Sequence, residues 1–205
     1  MNIITFSFLD QHRHGTAFHQ YLSLRKSFFV DALNWEIPHN DDVEMDQYDN
    51  PCAHYSLVMK HGKVIGGSRA MPTTAAWGEH TYMLRDALRG RLGQIPPAVM
   101  PEDMETKEVW ECTRLVISND VKCQSERSDC LTMIFEGLVE IANLHGGMEL
   151  VGLTRPPLVR ALRQLGFAAS RLGEPYRNES DGRSYAVLHM PAMSSVPAAQ
   201  LIAAE

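Results

Sequence analysis

Carboxylate side chains crowd into a short segment, WEIPHNDDVEMDQYDNP, at residues 35–51. Side chains of this type can bind a cation, accept a proton from a nucleophile, or neutralise buried arginines. A calcium-binding loop that began at Asp42 would need a glycine and a closing glutamate where the sequence has Gln47 and Ala53. We therefore expect no metal ion here. The carboxylates are Glu36, Asp41, Asp42, Glu44, Asp46 and Asp49.

Isolated charges elsewhere in the chain offer partners for this acidic segment. Glu111 lies between Trp110 and Cys112 in an apolar stretch. An unpaired buried charge is costly, whereas a buried arginine and a buried carboxylate stabilise each other. The sequence therefore predicts one electrostatic cluster; a solvated acidic loop is the alternative, although Trp35 and Tyr48 would be costly to expose. The arginines that stand singly among apolar residues are Arg25, Arg69 and Arg114.

The order and spacing of these residues resemble the signature of the LuxI-type acyl-homoserine-lactone synthases. The similarity runs from about residue 25 to residue 166, and one departure is MLRDALRG, which lacks the aromatic residue usual after MLRD. The matching motifs are Arg25-x3-Phe29-x5-Trp35, Glu44-x-Asp46-x2-Asp49, GSRAMPT with Arg69, and VWECTR with Glu111 and Arg114.

The resemblance implies a GNAT-like fold and an acyl-transfer reaction. An acyl group would pass from acyl carrier protein to the amine of S-adenosylmethionine, and the product would then lactonise and expel methylthioadenosine. S-adenosylmethionine is then a substrate, and we expect no resident cofactor. The residues that the resemblance assigns to catalysis are Glu44, Glu111, Arg25, Asp46, Asp49, Arg69 and Arg114, and those it assigns to substrate binding are Phe29, Trp35, Arg69 and Asp46.

Residue chemistry is compatible with these roles but leaves choices open. An α-amine is largely protonated at neutral pH and must lose a proton before it attacks a thioester, and Glu44 or Glu111 could accept that proton. Arg69 or Arg25 could bind the substrate carboxylate through its forked donors. Asp46 or the face of Trp35 suits a sulfonium. Packing is the alternative role for Trp35 and for Phe29.

Two other classes of protein compete with this interpretation. Acetyl-CoA-dependent N-acetyltransferases resemble one another in a glycine-containing pyrophosphate turn, R/Q-x-x-G-x-G/A, whereas the corresponding stretch here, VKCQSERSDCLTMI, has no glycine. Since a glycine-poor turn approaches a pyrophosphate less easily, this stretch favours a carrier-protein donor over CoA. The second competitor is a binding module whose acidic loop contacts a basic partner.

The segment TRPPLVRALRQLG provides a candidate surface for an acidic carrier protein. On a helix, Leu158, Leu162 and Leu165 share one face and are predicted to be buried. Arg160 and Arg163 then point into solvent, and Arg155 precedes them; ordinary solvated helix charges are the alternative interpretation. The partner-binding residues predicted from this pattern are Arg155, Arg160 and Arg163.

Hydrophobic periodicity predicts the elements that must position these side chains. It indicates an edge strand at the N-terminus, a helix over 16–33, a hairpin over 54–60 and 63–71, and a strand over 108–117. A helix over 125–147 with Ser125 as N-cap, the strand ELVGL, the helix RPPLVRALRQLG and the strand SYAVLHM follow. Residues 72–107 form mainly loop, with a short helix near YMLRDALRG. Together these elements make an α/β or α+β fold with a mixed sheet flanked by helices.

One detail of the strand over 108–117 requires an irregularity. Glu111 and Arg114, three residues apart, would point to opposite faces of a regular strand. A β-bulge or a splayed segment near Cys112–Arg114 would bring both side chains toward one site, and we predict one there.

Length and composition limit the remaining possibilities. A chain of 205 residues fits one domain, assigned to residues 1–191, with a loosely attached tail at 192–205. A net charge of −6 argues against general nucleic-acid binding. The sequence has no Cys-x-x-Cys pair, no signal-peptide pattern and no apolar run of membrane-spanning length. We therefore expect a cytoplasmic location without stable membrane insertion.

Overall fold

A seven-stranded mixed sheet forms the centre of the protein, in the order β1-β2-β3-β4-β5-β7-β6. The computed structural model describes residues 1–179 and 181–195. The strands are β1 (Asn2–Ser7), β2 (His54–Lys60), β3 (Lys63–Pro72), β4 (Val109–Ile117), β5 (Glu149–Thr154), β6 (Ser170–Arg177) and β7 (Ser184–Pro191). The helices are α1 (Ala17–Arg25), α2 (Met83–Leu88), α3 (Gln124–Leu144) and α4 (Pro156–Gln164).

Helices cover both faces of the sheet, and each face has its own hydrophobic core. The aromatic residues Phe18 and Tyr21 of α1 pack with Phe6 and Tyr55 of the first two strands. On the other face, α3 crosses β1 to β5 with a stripe of buried apolar side chains, including Ile134 and Leu138. No helix in the described ranges combines the length and the apolar character that a membrane span requires.

The sheet is weakest where its two antiparallel parts meet. Strand β4 runs parallel to β5 and pairs with it only over Val109–Glu111 and Glu149–Val151. Beyond these three pairs the two strands separate, although β4 continues to Ile117 and β5 to Thr154. Parallel strands that separate in this way leave unpaired backbone groups, and hence a cleft, between them.

The predicted irregularity in β4 is confirmed. Opposite β3, the register advances from Thr113 to Val116 on β4 while β3 advances only from Arg69 to Gly67. The extra residue creates a bulge in which Arg114 takes a left-handed backbone conformation with φ of 57°. Because a non-glycine residue pays a steric penalty there, the side-chain contacts of Arg114 must stabilise the bulge.

Most of the predicted elements are present, with three differences. The edge strand, the hairpin, the short helix in the 72–107 segment and the late strands are confirmed. The N-terminal helix changes to π-helical geometry over Lys26–Ala32. The N-cap assignment of Ser125 is wrong, because α3 begins at Gln124 with Cys123 as its N-cap. Strand β6 was not predicted, since glycine and proline interrupt its sequence, SRLGEPYR.

The predicted buried face of α4 needs a correction. The helix buries Val159 and Leu162, whereas Leu158 and Leu165 are only half-buried. The centre of the buried face is therefore turned from the predicted one toward Val159 by roughly 60°, given the 100° between successive helical residues. This rotation leaves Leu158 and Leu165 beside an open cleft instead of the core.

The start of the predicted tail is bonded to the domain. The Ala192 N–H donates to the Met148 carbonyl at 2.7 Å. The backbone N–H and the hydroxyl of Ser195 donate to Glu136 of α3 at 2.8 and 2.7 Å. Residues 196–205 lie outside the described residues, so the loose attachment assigned to them stays a prediction.

The packing of α3 on β2 depends on a glycine. A Cβ added to Gly137 would lie 2.2 Å from the Ser56 hydroxyl, which is buried and donates to the Ile134 carbonyl. We expect Gly137→Ala to lower the free energy of unfolding by about 1–3 kcal/mol, because overpacking outweighs the gain in helix propensity. Urea denaturation measures the change.

Gly93→Ala is the matched control, since its Cβ would meet no atom within 4 Å and its backbone conformation is open to any residue. Its unfolding free energy is expected to stay within about 0.5 kcal/mol of the wild type. Equal stability of the two variants would contradict the close packing at Gly137.

Candidate active site

Arg25, in the last turn of α1, lies at the centre of a buried charge cluster. Its side chain is fully enclosed. The Nε atom donates to Glu44 at 2.6 Å, and the two terminal nitrogens donate to the two oxygens of Asp49 at 2.8 Å each. This forked geometry is the strongest arrangement that an arginine and a carboxylate can make. It fastens α1 to the acidic segment.

Arg69, on β3, joins the same carboxylates from the sheet. It donates to Asp46 at 2.5 Å and lies 2.9 Å from Asp49. Its Nε atom donates to the Thr113 hydroxyl on β4 at 3.1 Å. The guanidinium also lies over the Tyr48 ring, 5.6 Å from its centroid. Each nitrogen of this guanidinium therefore has a partner, either on the acidic segment or on β4.

Arg114 completes the cluster from the β4 bulge. Its guanidinium lies 2.7 Å from Asp46 and 3.2 Å from Glu44. It also lies 5.4 Å from the centroid of the Phe29 ring. The predicted cluster of arginines and carboxylates is thus present in the structure, with three guanidiniums facing three carboxylates. Arg114 is its most accessible arginine, with a side chain that is 10% exposed.

Electrostatics keep Asp46 and Asp49 ionised. Burial alone would raise the pKa of Asp49, but Arg69 and Arg25 hold it well below its usual range. Burial likewise opposes ionisation of Asp46, and Arg69 with Arg114 lowers its pKa. Carboxylates held ionised in this way contribute stability that is lost only in strong acid, as the pH falls through their depressed pKa values.

The acidic segment divides into a buried part and an exposed part. Its buried end folds on itself, since Asp46 accepts the Tyr48 N–H and donates its own N–H to Asp49. By contrast, Glu36, Asp41 and Asp42 are exposed. The packed-loop interpretation therefore holds for residues 44–50, and the solvated interpretation holds for residues 36–42.

Glu111 is buried near this cluster but takes no part in its ion pairs, contrary to the single cluster predicted from the sequence. Its two oxygens accept the backbone N–H groups of Met83 and Leu84, at 2.9 and 2.7 Å, at the start of α2. Burial raises the pKa of Glu111 to about 7, even though these two hydrogen bonds and Arg69 lower it. A carboxyl group poised near neutrality is suited to accept and return a proton.

Trp35 forms an aromatic wall beside the cluster. Its ring stacks on Phe29, with centroids 5.0 Å apart, and its indole N–H donates to Asp181 at 3.2 Å. The Tyr185 hydroxyl donates to the same carboxylate at 2.6 Å. Trp35 is half-buried, so packing and ligand contact are compatible roles for it.

An open cleft of about 490 Å³ lies beyond the bulge, between the end of β4, α3 and α4. Both apolar and polar side chains line its walls. Residues that line it include Phe28, Leu115, Arg127, Leu131, Leu158 and Leu165.

The arginines of α4 are exposed, as the sequence predicted. Arg155, Arg160 and Arg163 all face solvent on the helix that forms one wall of this cleft. Arg163 is partly fixed, because its Nε atom donates to the Ala169 carbonyl at 2.5 Å. No carboxylate occurs in the sequence of this helix.

Sequence reasoning missed several residues that fix the site. The Tyr55 hydroxyl donates to Asp49 at 2.9 Å, and Tyr48 donates to the buried Asp86 at 3.0 Å. Asp181 comes from a distant turn, which local spacing could not reveal. Residues 55–58 of β2 are all buried, so no alternating pattern could have shown which face of the strand Tyr55 occupies.

The splayed mixed sheet, with helices on its two faces and a cleft beside β4, has the GNAT-like architecture, so the predicted fold class is confirmed. An acyl-CoA N-acyltransferase from Pseudomonas aeruginosa shares this fold, with a TM-score of 0.54 and 14% identity over 92% of this chain and 98% of that chain.

The chain belongs to the autoinducer synthase family, whose model matches residues 10–196. An acyl-homoserine-lactone synthase from Ralstonia solanacearum is 30% identical over 190 residues, which cover 84% of this chain and 87% of the relative. The recognition made from the sequence motifs is therefore confirmed: the protein is an enzyme of the acyl-homoserine-lactone synthase type.

Solved structures of such synthases share the fold. TofI, in a ternary complex with an inhibitor and MTA, gives a TM-score of 0.74 at 24% identity, over 97% of this chain and 96% of that chain. BjaI, a CoA-dependent synthase crystallised with SAM and isopentyl-CoA, gives a TM-score of 0.73 at 19% identity, over 93% and 83%.

The charge cluster makes a direct prediction about single substitutions. Asp46→Ala removes a buried carboxylate that Arg69 and Arg114 share, and Arg69→Ala removes one of the two guanidiniums that face each of Asp46 and Asp49, so each should abolish most lactone formation. Removing one member of a buried pair also costs about 3–5 kcal/mol of stability. Lactone formation is measured by mass spectrometry, and unfolding by thermal denaturation.

Asp41→Ala is the control, because Asp41 is an exposed carboxylate of the same segment, and we expect its activity to be nearly that of the wild type. Near-normal turnover in Asp46→Ala would contradict the role of the cluster.

Proposed function

We propose that the enzyme transfers an acyl group from an acyl carrier protein thioester to the amine of S-adenosylmethionine and then closes the lactone. The amine nitrogen attacks the thioester carbonyl, an amide forms, and the thiol leaves. The substrate carboxylate then attacks the carbon beside the sulfonium, so that a C–O bond forms, the C–S bond breaks, and neutral methylthioadenosine departs.

The observation that carries this proposal is the buried, unpaired Glu111 beside the charge cluster. Both oxygens of Glu44 contact guanidiniums, those of Arg25 and Arg114, so neither is free to approach a substrate amine. Glu111 forms no ion pair within the described part of the chain, and burial raises its pKa to about 7. We therefore assign the base to Glu111, which can take the proton of the substrate amine directly or through a water molecule.

Binding of the substrate cation and carboxylate would involve the wall formed by Arg114, Phe29 and Trp35. Arg25 and Arg69 are enclosed by carboxylates, whereas Arg114 has exposed surface, so Arg114 is our first choice for the carboxylate partner. The assignment of Arg69 stays a prediction. The aromatic faces and Asp46 suit the sulfonium. The SAM in BjaI and the MTA in TofI support this choice of substrate.

We place the acyl thioester and its pantetheine arm in the cleft beyond the bulge, whose walls come from the end of β4, α3 and α4. CoA dependence in BjaI makes acyl-CoA the second candidate donor. The glycine-free start of α3 and the arginine face of α4 (Arg155, Arg160 and Arg163) favour a carrier protein, which is acidic and has no adenosine pyrophosphate.

The pH dependence of the rate tests the base. In the wild type, kcat/KM should rise with pH through about 7, since only ionised Glu111 accepts a proton. Glu111→Gln should lower the rate by about 10²–10⁴-fold and abolish this rise, which forms the limb of the pH profile near pH 7. Its remaining activity should recover above pH 8, where more of the substrate amine is already unprotonated.

Glu44→Gln is the comparison variant, and it should lose activity without losing the limb near pH 7. If the limb persists in Glu111→Gln and disappears in Glu44→Gln, the two assignments are reversed. An unchanged pH profile in both variants would exclude either glutamate as the base.

Charge reversal on the arginine face of α4 tests the identity of the acyl donor. Reversing Arg160 and Arg163 to Glu should raise the KM for acyl carrier protein, and should leave the KM for S-adenosylmethionine and for acyl-CoA unchanged. Added salt should weaken the wild-type interaction with the carrier protein through screening.

Arg13→Glu with Lys107→Glu is the control, because it makes the same change in net charge at exposed positions away from α4. Thermal denaturation checks the loss of the bond from Arg163 to Ala169. If the kinetics with acyl carrier protein stay unchanged at low salt, the docking face lies elsewhere. Turnover with acyl-CoA and none with acyl carrier protein would identify CoA as the donor.

A further inference from the structure

Asp86, in the first turn of α2, is a fully buried carboxylate outside the arginine cluster. It accepts hydrogen bonds from the Thr81 hydroxyl at 2.7 Å and from the Tyr48 hydroxyl at 3.0 Å. The backbone N–H of Thr81 also lies 3.3 Å from both of its oxygens. A single carboxylate thus ties the residues that enter α2 to the acidic segment.

The turn that Asp86 braces is the turn that holds Glu111. Thr81 is followed after one residue by Met83, and the N–H groups of Met83 and Leu84 donate to Glu111. Because consecutive peptide planes have only two soft torsions per residue, a displacement of Thr81 also displaces these two donors. The bonds from Asp86 to Thr81 therefore determine how well α2 presents its amides to Glu111.

Asp86 is also linked to the arginine cluster, through the side chain of Tyr48. Tyr48 directs its hydroxyl at Asp86 and its ring at the guanidinium of Arg69. The ring is 2% exposed, so its orientation depends on these few contacts. A tyrosine held at both ends in this way limits the positions open to Arg69. Because Arg69 bonds Asp46, the position of Asp46 is limited as well.

We propose that Asp86 is a positioning residue, which holds the first turn of α2 against Glu111 and the Tyr48 ring against Arg69. It thereby sets the placement of the candidate base relative to the arginine cluster. The kinetic part of this inference rests on the proposed role of Glu111, whereas the structural part does not.

Other charged and titratable groups around Glu111 must be considered in any test. Arg69 lowers its pKa and Asp46 raises it, both from the charge cluster. The hydroxyl of Tyr82 and the thiol of Cys112 also lie near it, and both are held neutral because burial raises their pKa values.

Around Asp86 the charged neighbours lie on the solvent side. His80 and Arg91 are each 3.5 Å from its oxygens, and both side chains are nearly half exposed. Tyr48 faces it from the interior and is neutral, since burial and Asp86 raise its pKa. Substitution of Asp86 by Asn therefore changes a charge, and a second variant that changes no charge is needed.

The test measures the ionisation of Glu111 directly, by carbon-13 NMR of protein labelled at the glutamate carboxyl groups. The spectrum of Glu111→Gln identifies the signal. In Asp86→Asn and in Thr81→Val, weaker N–H bonds from α2 should raise the apparent pKa of Glu111 by roughly half a unit to one unit, because such bonds favour the ionised form. Thr81→Val removes the hydroxyl and leaves every charge in place.

Asp103→Asn is the matched control, since Asp103 is an exposed carboxylate that bonds Arg85 and Arg89 on the outer side of the same helix. It should leave the Glu111 signal unchanged. If Asp86→Asn and Thr81→Val are folded and the Glu111 titration does not move in either, the positioning role is wrong.

The pH profile of kcat/KM separates this inference from the proposed function. A joint move of the Glu111 titration and of the kinetic limb supports both. A titration that moves while the kinetic limb stays fixed supports the positioning role and contradicts the proposed base.

Discussion

The structure depends on the bidentate pairing of Arg25 with Asp49, around which the other buried charges are arranged. Burying one guanidinium without its carboxylate would be prohibitive, so α1, the acidic segment and the sheet must reach their places together. Hydrophobic burial supplies the driving force for folding, but it is indifferent to small rotations of α1. The forked hydrogen bonds, in contrast, form only at one rotation of α1. They therefore fix the rotation and the depth at which α1 packs.

The bulge in β4 converts this structural cluster into a site. A regular strand would direct Arg114 away from Glu44 and Asp46, whereas the left-handed residue returns its side chain to them. The same bulge follows the point at which β4 leaves β5. One local irregularity therefore completes the charge cluster just beyond the point where the two strands separate, which explains why the steric cost at Arg114 is tolerated.

The sequence was informative about composition of the site and less so about its geometry. The isolation of Arg25, Arg69 and Arg114 among apolar residues predicted their burial with carboxylates, because a buried guanidinium without a carboxylate would be strongly destabilising. Spacing could not separate Glu111 from the cluster, since its partners are backbone amides, which have no sequence signature. The broken strand β6, the rotation of α4 and the contact of Trp35 with Asp181 depend on packing between distant segments, and local periodicity does not record it.

The three-residue pairing of β4 with β5 has a mechanical consequence. The sheet consists of a four-stranded antiparallel part and a three-stranded antiparallel part, and each is stiffened by antiparallel pairing along most of its strands. Among the described residues, the pairing between the two parts is confined to the short stretch Val109–Glu111, with α3 lying across the joint. Compliance is therefore concentrated at this joint. Glu111 is the last residue of β4 that pairs with β5. Any bending of the sheet that accommodates a bulky substrate is therefore centred at the candidate base.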